Sequence, residues 1–254
     1  MHERPSILVT NDDGIDAPGI LALARSLSTI GEVTVVAPSV ERSAVGHAIT
    51  LSDPLRVSPF RYDGVLDGYA VSGTPADCVK IACWALLDRK PDLVASGINL
   101  GINTGINTIY SGTVSAATEG AILEIPSFAI SLTTYQDPDF SFAAAFAARL
   151  APVLLEKRLP PGVCLNVNVP AVPESEILGV SITQQGKALF EEEFDRRTDP
   201  HGRIYYWLTG QKIDKETDIS VDDGAIQANV ISITPVHYDL TCYDCLESLK
   251  KWKL

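Results

Sequence analysis

Short apolar runs alternate with helical patterns through the first two thirds of the chain. The first run is Ile7-Leu8-Val9-Thr10, and the segment from Pro18 to Leu27 then carries apolar residues three and four positions apart, the spacing of one helix face. A second run, Val33-Thr34-Val35-Val36, follows that helix. Strands that alternate with helices favour βαβ units and a mostly parallel sheet. We therefore predict a Rossmann-like three-layer α/β domain.

The same alternation continues to about residue 155 and then changes. Further predicted elements are a helix that opens at Pro75, a strand at 92–95, a helix at 114–123, a strand at 127–132 and a helix at 140–155. From about residue 180 the chain becomes more polar, and the turn Asp199-Pro200-His201-Gly202 precedes the aromatic run Ile204-Tyr205-Tyr206-Trp207. These features predict a single domain over 1–254, with a Rossmann-like core at about 1–155, a β-hairpin arm at about 186–210 and a terminal helix at 244–252. The arm is too apolar for a free hairpin, so we expect the segment from about 180 to 254 to form subunit contacts.

Composition narrows the classes of partner. The 254 residues are 46% hydrophobic, enough for a full core, and the formal charge is −12. The negative charge of the chain disfavours binding to a nucleic acid polymer. A small phosphate-containing substrate could still bind through a divalent cation that bridges it to acidic side chains. We find neither a signal peptide pattern nor an apolar stretch long enough for a bilayer, and expect a cytoplasmic protein without a membrane partner. The five cysteines are an odd number without framework spacing and are interpreted as reduced core thiols.

Three polar loops follow predicted strands, where ligands of doubly wound sheets bind. The first loop is Asn11-Asp12-Asp13-Gly14. Two adjacent carboxylates repel each other in a partly buried crevice, and a hard cation such as Mg²⁺ or Mn²⁺ relieves that repulsion. The same four residue types are also common in ordinary turns. The tetrapeptide alone leaves both interpretations open.

The other two loops add candidate ligands. Residues 42–47 offer Arg42, Ser43 and His47, and we interpret His47 first as a histidine bonded to backbone, with a ligand or acid role second. The third loop repeats Gly-Ile-Asn three times from Gly97 and leads to Ser111-Gly112-Thr113 at the start of a helix. Hydroxyls and free N–H groups at a helix N-terminus suit a phosphate, although a plain N-cap needs the same residues.

Taken together these motifs resemble the survival protein SurE family of 5′/3′-nucleotidases. The resemblance rests on Ile7 to Gly14 with Ala17-Pro18-Gly19-Ile20, Val36-Ala37-Pro38 with Arg42-Ser43, Gly73 to Val79, Ser96 to Asn99, Tyr110 to Val114 and Glu119-Gly120. Ser232-Ile233-Thr234-Pro235 and Asp239-Leu240-Thr241 resemble the family's C-terminal signature. The stretch from about 174 to 215 matches poorly.

The resemblance implies a metal-dependent phosphomonoesterase that hydrolyses nucleoside monophosphates. It implies one divalent ion per subunit, Mg²⁺ or Mn²⁺, held by Asp12, Asp13, Ser43 and Asn99, with Asp12 and Asp13 as the catalytic pair. From the chemistry of the helix terminus we add substrate contacts, which are Asn11, Asn103, Ser111, Gly112 and Thr113. The resemblance also implies a homodimer or homotetramer. Two rivals are an aspartyl-phosphate mechanism, although its D-x-D-x-T pattern is absent, and a non-catalytic metal-dependent nucleotide sensor.

Overall fold

A nine-stranded mixed sheet forms the centre of the molecule in a computed structural model that describes residues 4–62, 66–187, 190–212 and 216–252. The strands are β1 (Ser6–Thr10), β2 (Glu32–Pro38), β3 (Val57–Tyr62), β4 (Leu66–Val71), β5 (Leu93–Leu100), β6 (Ser127–Leu132), β7 (Val163–Val169), β8 (Gly179–Ile182), β9 (Phe190–Thr198), β10 (Ile204–Lys212) and β11 (Val230–His237). The helices are α1 (Pro18–Leu27), α2 (Pro75–Ile81), α3 (Asn107–Tyr110), α4 (Gly112–Ile122), α5 (Ser141–Lys157), α6 (Asp222–Gln227) and α7 (Tyr243–Leu249). A π-helical turn at Ala82–Leu86 continues α2, and a 3-10 turn lies at Glu174–Glu176.

The order of strands creates a crevice beside β1. The sheet runs β3-β4-β2-β1-β5-β6-β7-β11-β8, and β1 pairs in parallel with both β2 and β5. The chain therefore leaves β1 in one direction to build β2 and returns past it to build β5. Ligands of open α/β sheets bind at such a switch point, outside the carboxyl ends of the strands. The residues that follow β1, β2 and β5 meet at this edge.

Helices cover both faces of the sheet, as the alternation of elements predicts. On one face α1 and α5 pack on a core that includes Ile7, Val9, Phe128 and Ile130, all inaccessible to solvent. On the other face α2 and α4 pack on a second cluster around Leu8. Because successive residues of β1 point to opposite faces, its continuous apolar run fills both layers. The predicted three-layer α/β fold is confirmed.

Several boundaries differ from the sequence prediction. The strand predicted at 92–95 continues to Leu100 as β5, with a register shift against β6 between Ser96 and Asn99. Gly97 has φ +132° inside this irregular stretch, a conformation that side chains with a Cβ rarely adopt. The pattern of glycine and asparagine looks like a loop, but the backbone stays extended. The sequence prediction also omitted β3, β4, β7, β8 and β11, which extend the same sheet at both of its edges.

The predicted hairpin arm is present as a separate two-stranded sheet. β9 and β10 pair antiparallel from Phe190–Lys212 to Thr198–Ile204, with the turn at 199–203 between them. In the described part of the chain neither strand pairs with the nine-stranded sheet. Tyr206, Trp207 and Leu208 are each more than half exposed. The arm thus presents an apolar surface that this chain leaves uncovered.

The structure tests two further expectations, that the five cysteines are buried and that no segment spans a membrane. The described chain has five free thiols; Cys78, Cys83 and Cys164 are buried, but Cys242 and Cys245 are exposed, so the interpretation of all five as core thiols is wrong for the last two. They lie at the start of α7, and none of the residues of this helix is buried. None of the described helices combines the length and apolar character that crossing a bilayer requires.

Leu8 tests the second core layer. We expect Leu8→Ala to lower the free energy of unfolding by about 2–5 kcal/mol, because it leaves a cavity between β1 and the α2–α4 layer. Leu51→Ala, at a leucine that is 85% exposed, is the matched control and should change stability by less than about 0.5 kcal/mol. Urea unfolding with an unchanged m-value measures both. Equal effects of the two substitutions would contradict the layer assignment.

Candidate active site

Asp12 is buried between the end of β1 and the start of α4. Its side chain is 4% exposed, and the Thr113 hydroxyl donates a 2.5 Å hydrogen bond to Asp12 Oδ1. Gly112 makes the approach possible, since a Cβ built there would lie 2.7 Å from Asp12 Cβ and 2.9 Å from Oδ2. Any larger residue at 112 would push the helix away from the carboxylate. The first turn of α4 and the end of β1 are therefore fitted to each other.

Burial favours the protonated form of both adjacent carboxyls, and the charge of Asp12 adds to this effect on Asp13. Burial raises the pKa of Asp12, and hydrogen bonds from Thr113 and from the backbone of Gly112 and Thr113 oppose that rise without cancelling it. Burial and the neighbouring charges of Asp12 and Glu41 raise the pKa of Asp13 to about 7, against a hydrogen bond from the Leu100 amide. The surroundings thus disfavour the charged forms of both acids. A bound cation would stabilise those charged forms.

The loop after β2 lies against this carboxylate pair. The Arg42 amide donates to the Asp12 carbonyl oxygen at 2.7 Å, which places Ser43 beside the end of β1. The Ser43 side chain is exposed, and its hydroxyl donates to Glu41 Oε1 at 2.6 Å. A hydroxyl that donates its proton keeps its oxygen lone pairs for another partner. Glu41 was not among the predicted site residues, although it lies two positions before Ser43.

Asn99 reaches the same edge from β5. Its Nδ2 donates to the Gly101 carbonyl at 2.9 Å, which fixes the amide so that Oδ1 is left without a hydrogen-bond partner in the described chain. The next residue, Leu100, donates its amide to Asp13 Oδ2 at 3.4 Å. The structure therefore brings Asp12, Asp13, Ser43 and Asn99 to one edge of the sheet, as the sequence predicted.

This donor set fits a hard divalent cation. Two carboxylates, one hydroxyl and one amide oxygen are the ligand types that Mg²⁺ and Mn²⁺ take. Within the described residues no group of three or more His, Cys, Asp and Glu side chains is placed to hold a metal, so a cation here would depend on the neutral oxygens as well. Thr113, Glu41 and Gly101 hold three of the four side chains, Asp12, Ser43 and Asn99, by hydrogen bonds, and such bonds would fix the direction of their oxygens towards a cation.

The predicted phosphate contacts have structural partners of their own. Ser111 is the N-cap of α4 and accepts the Val114 amide at 3.1 Å, while Thr113 is bonded to Asp12. Asn11 Nδ2 donates to the Gly14 carbonyl at 2.9 Å and closes the first loop, and its Oδ1 has no hydrogen-bond partner among the residues that the structure describes. The simple capping and turn interpretations therefore hold for Ser111 and Asn11. Whether these residues also contact phosphate stays a prediction.

Asn103 belongs to a buried amide network behind the site. Its Nδ2 donates to Ser131 Oγ at 2.9 Å, its amide donates to Asn168 Oδ1 at 2.9 Å, and its carbonyl accepts Asn166 Nδ2 at 2.7 Å. This network fixes the loop between β5 and α3. Asn166 and Asn168 alternate with apolar residues along β7, and that alternation in Val163–Val169 was the signal that could have found them.

The same loop is tied to α6 by two buried aspartates. Asp222 Oδ2 accepts the Gly105 amide at 2.9 Å, and Thr104 donates its hydroxyl to Asp223. Burial raises the pKa of Asp222, with backbone hydrogen bonds from Gly105 and Gly186 acting against the rise. No strand or motif spacing at 222–223 marked these residues in advance, because their role depends on a contact across more than one hundred residues of sequence.

His47 does not make the backbone hydrogen bond that we expected from the sequence. Its Nε2 lies 2.8 Å from Glu119 Oε2, and Lys80 Nζ lies 2.7 Å from the other oxygen of the same carboxylate. Burial alone would raise the pKa of Glu119, but the hydrogen bonds from His47 and Lys80 hold it below its usual value. The backbone interpretation of His47 is therefore wrong.

Comparison with known proteins identifies the family. The family model described as "Survival protein SurE" matches residues 7–192. The chain belongs to the SurE family. A 5′-nucleotidase SurE from Syntrophobacter fumaroxidans is 52% identical over 98% of this chain and 99% of that protein. One from Syntrophus aciditrophicus is 54% identical over 96% of this chain and 92% of that protein.

A solved SurE structure has the same fold. The crystal structure of the SurE protein from Aquifex aeolicus superposes with a TM-score of 0.85 at 40% identity, over 97% of this chain and 98% of that one. The family resemblance carried by the motifs is thus confirmed over nearly the whole chain. The SurE family model ends at residue 192, near the start of the arm, where the motifs also matched poorly.

Asp13 gives a pH-dependent test of the carboxylate pair. Because its folded pKa of about 7 lies above the ordinary value of 3.8, the metal-free protein loses stability as pH rises through this interval. In a chelator, we expect Asp13→Asn to be more stable than the parent above about pH 7, by on the order of 1–2 kcal/mol after solvent screening. The difference should vanish below about pH 4.

Chemical unfolding at several pH values measures this difference. Asp88→Asn, at an exposed aspartate outside the site, is the matched control and should follow the parent at every pH. A constant difference between Asp13→Asn and the parent across the pH range would show that burial of the charge is not its cause.

Proposed function

We propose that this chain is a metal-dependent phosphomonoesterase that hydrolyses nucleoside monophosphates to nucleoside and phosphate. The observation that carries the proposal is the pair of adjacent carboxyls at the switch point of the sheet, whose surroundings disfavour their charged forms. Asp12 is buried against the N-terminus of α4, and Asp13 beside it is partly buried. The names of the relatives, 5′-nucleotidase SurE, support the same class of substrate. The second candidate is a metal-dependent nucleotide sensor without catalysis.

One divalent ion per subunit, Mg²⁺ or Mn²⁺, completes the proposed site. Asp12, Asp13, Ser43 and Asn99 would hold it. When bound, such an ion polarises a phosphoryl oxygen and makes a water more acidic for in-line attack. Asp12 and Asp13 supply the negative charge, and the neutral oxygens of Ser43 and Asn99 set the geometry.

The residues of the chain position and stabilise the phosphate. Thr113 orients Asp12, so that the carboxylate keeps one fixed geometry while charge moves. The positive end of the α4 dipole, with Ser111, Gly112 and Thr113, faces the place where negative charge grows. Asn11 and Asn103 fix the conformations of the first and third loops by their hydrogen bonds. Asn11 Oδ1, which has no partner among the described residues, can accept a hydrogen bond from a substrate hydroxyl or a water.

Location and partners complete the proposal. Five free thiols suit a reducing compartment, and we place the protein in the cytoplasm. The charge of −12 argues against a nucleic acid polymer as substrate. We propose a homodimer or homotetramer in which the arm β9–β10 or the helix α7 covers a neighbouring subunit, because both carry apolar side chains that the chain itself leaves exposed.

The activity is tested with a panel of nucleoside monophosphates and simple phosphate esters under Mg²⁺, Mn²⁺, Ca²⁺ and a chelator. We expect phosphate release from nucleoside monophosphates that the chelator abolishes. Asp12→Asn should lower kcat by at least about 100-fold while the protein stays folded, because it removes a charge that holds the ion. Asp16→Asn, at an exposed aspartate in the same loop, is the matched control and should stay close to the parent.

The other outcomes separate the alternatives. Binding of nucleotide and Mn²⁺ without phosphate release would favour the sensor. A trapped phosphoryl group on Asp12 or Asp13 would favour the covalent mechanism. Normal turnover of Asp12→Asn at saturating Mn²⁺ would overturn the metal assignment.

The arm gives a test of assembly. We expect light scattering to report at least a dimer at micromolar concentration. Replacement of residues 188–208 by a short glycine linker should lower the oligomeric state while Mn²⁺ binding persists, because the four proposed ligands lie outside the arm. Phe194→Ser with Trp207→Ser, at exposed arm residues, should shift the same equilibrium without shortening the chain. A parent protein that runs as a monomer would refute the assembly and leave the site untouched.

A further inference from the structure

Glu119 is a buried carboxylate that the proposed reaction does not use. It is 2% exposed and lies in α4. Its two carboxylate oxygens contact Lys80 from α2 and His47 from the loop after β2. A buried carboxylate is costly unless it is paired, so both partners contribute to holding it there. The two partners differ in what they are attached to. Lys80 belongs to a helix, whereas His47 belongs to the loop that carries Ser43.

The loop from 39 to 50 is fixed to its surroundings by hydrogen bonds along its whole length. The Arg42 amide donates to the Asp12 carbonyl at 2.7 Å, and the Gly46 amide donates to the Tyr110 carbonyl at 2.9 Å. His47 reaches Glu119, and the Thr50 amide and hydroxyl both donate to Asp77, at 3.0 and 2.6 Å. The Arg42 guanidinium donates to the Ser72 carbonyl at 3.0 Å on one side of Ser43, and His47 makes the first side-chain contact on the other side, four residues away. The Ser43 side chain itself is exposed and is held in the loop by Glu41.

We propose that His47, anchored on Glu119, is a positioning residue that holds Ser43 at the distance from Asp12 and Asp13 that cation binding needs. The inference rests on the proposed function, because it takes Ser43 as a ligand of the ion. The anchor joins the loop to α4, and α4 also carries Thr113 on Asp12. One helix therefore fixes both the carboxylate and the loop that brings the neutral oxygen, so their separation is set through a rigid element.

The contact between Lys80 and Glu119 allows a positioning role of His47 to be distinguished from a purely structural one. Lys80 would still pair with Glu119 if the imidazole were removed, so the carboxylate would not be left buried and alone. Loss of His47 should then loosen the loop more than it destabilises the fold. Loss of Lys80 should do the reverse, because it removes a partner of Glu119 and leaves the loop anchored.

The test measures Mn²⁺ affinity by calorimetric titration of His47→Ala, His47→Gln and Lys80→Met in the full-length protein. We expect His47→Ala to weaken Mn²⁺ binding about tenfold, at the lower end of the range for outer-shell partners. His47→Gln places an amide donor near the former Nε2 and should recover affinity to within about threefold of the parent. Lys80→Met should lower the unfolding midpoint and leave Mn²⁺ affinity within about twofold.

Hydrogen exchange of the metal-free protein gives a readout that does not depend on the ion. Amides from Ser43 to His47 should exchange faster in His47→Ala than in the parent and in Lys80→Met. Equal loss of Mn²⁺ affinity in His47→Ala and Lys80→Met, or unchanged exchange in the loop, would overturn the positioning role. A parent protein that binds no Mn²⁺ would refute the proposed function as a whole, whereas a parent that binds it with unaffected His47 variants would refute this inference alone.

Discussion

The burial of two adjacent carboxyls at the end of β1 is the constraint to which the rest of the site conforms. A chain gains nothing in stability from placing Asp12 and Asp13 there, since burial disfavours the charged form of both and the charge of Asp12 further disfavours that of Asp13. What surrounds them acts to limit that cost. The Thr113 hydroxyl and the first turn of α4 face Asp12, and the Leu100 amide faces Asp13. Stability is given up locally for a site that is ready to receive positive charge.

The same constraint explains why the loops around the crevice are tied down so thoroughly. Amide side chains on β7 hold the loop after β5, buried aspartates on α6 hold its second half, and several hydrogen bonds hold the loop after β2. Many of these hydrogen bonds have a buried partner, such as Asn166, Asp222 or Asp12, and are stronger there than at the surface. Ligand oxygens on mobile loops would lose affinity through the entropy of ordering them. Here that ordering is completed when the chain folds.

The sequence predicted the features that depend on neighbouring residues. Apolar runs and helix faces located β1, α1, β6 and α5 to within about two residues, and the adjacency of Asp12 and Asp13 suggested the cation before any fold was known. Family motifs were needed to add Ser43 and Asn99, because a single serine or asparagine after a strand has no distinctive pattern.

Features that depend on distant contacts could not be predicted in this way. β5 continues through Gly97 because β6 pairs with it, although its composition is that of a loop. His47 meets Glu119 across seventy-two residues, and its own neighbours in sequence are those of an ordinary turn. The strands β7 and β11 escaped notice because polar residues interrupt their apolar runs. In β7 those polar residues, Asn166 and Asn168, are the ones that hold the loop after β5.

The direction of β11 separates the two ends of the molecule. β11 runs antiparallel to β7, so that His237 pairs with Val163 at the first residue of β7, whereas Asp12 and Asn99 lie where the parallel strands finish. The chain therefore leaves β11 at the edge opposite the crevice. It then turns back, because Tyr238 and Leu240 line a cavity together with His47 and Ile109. A fused protein, an affinity tag or a surface linkage at the C-terminus therefore needs a spacer if the mouth of the crevice is to stay open to a diffusing substrate.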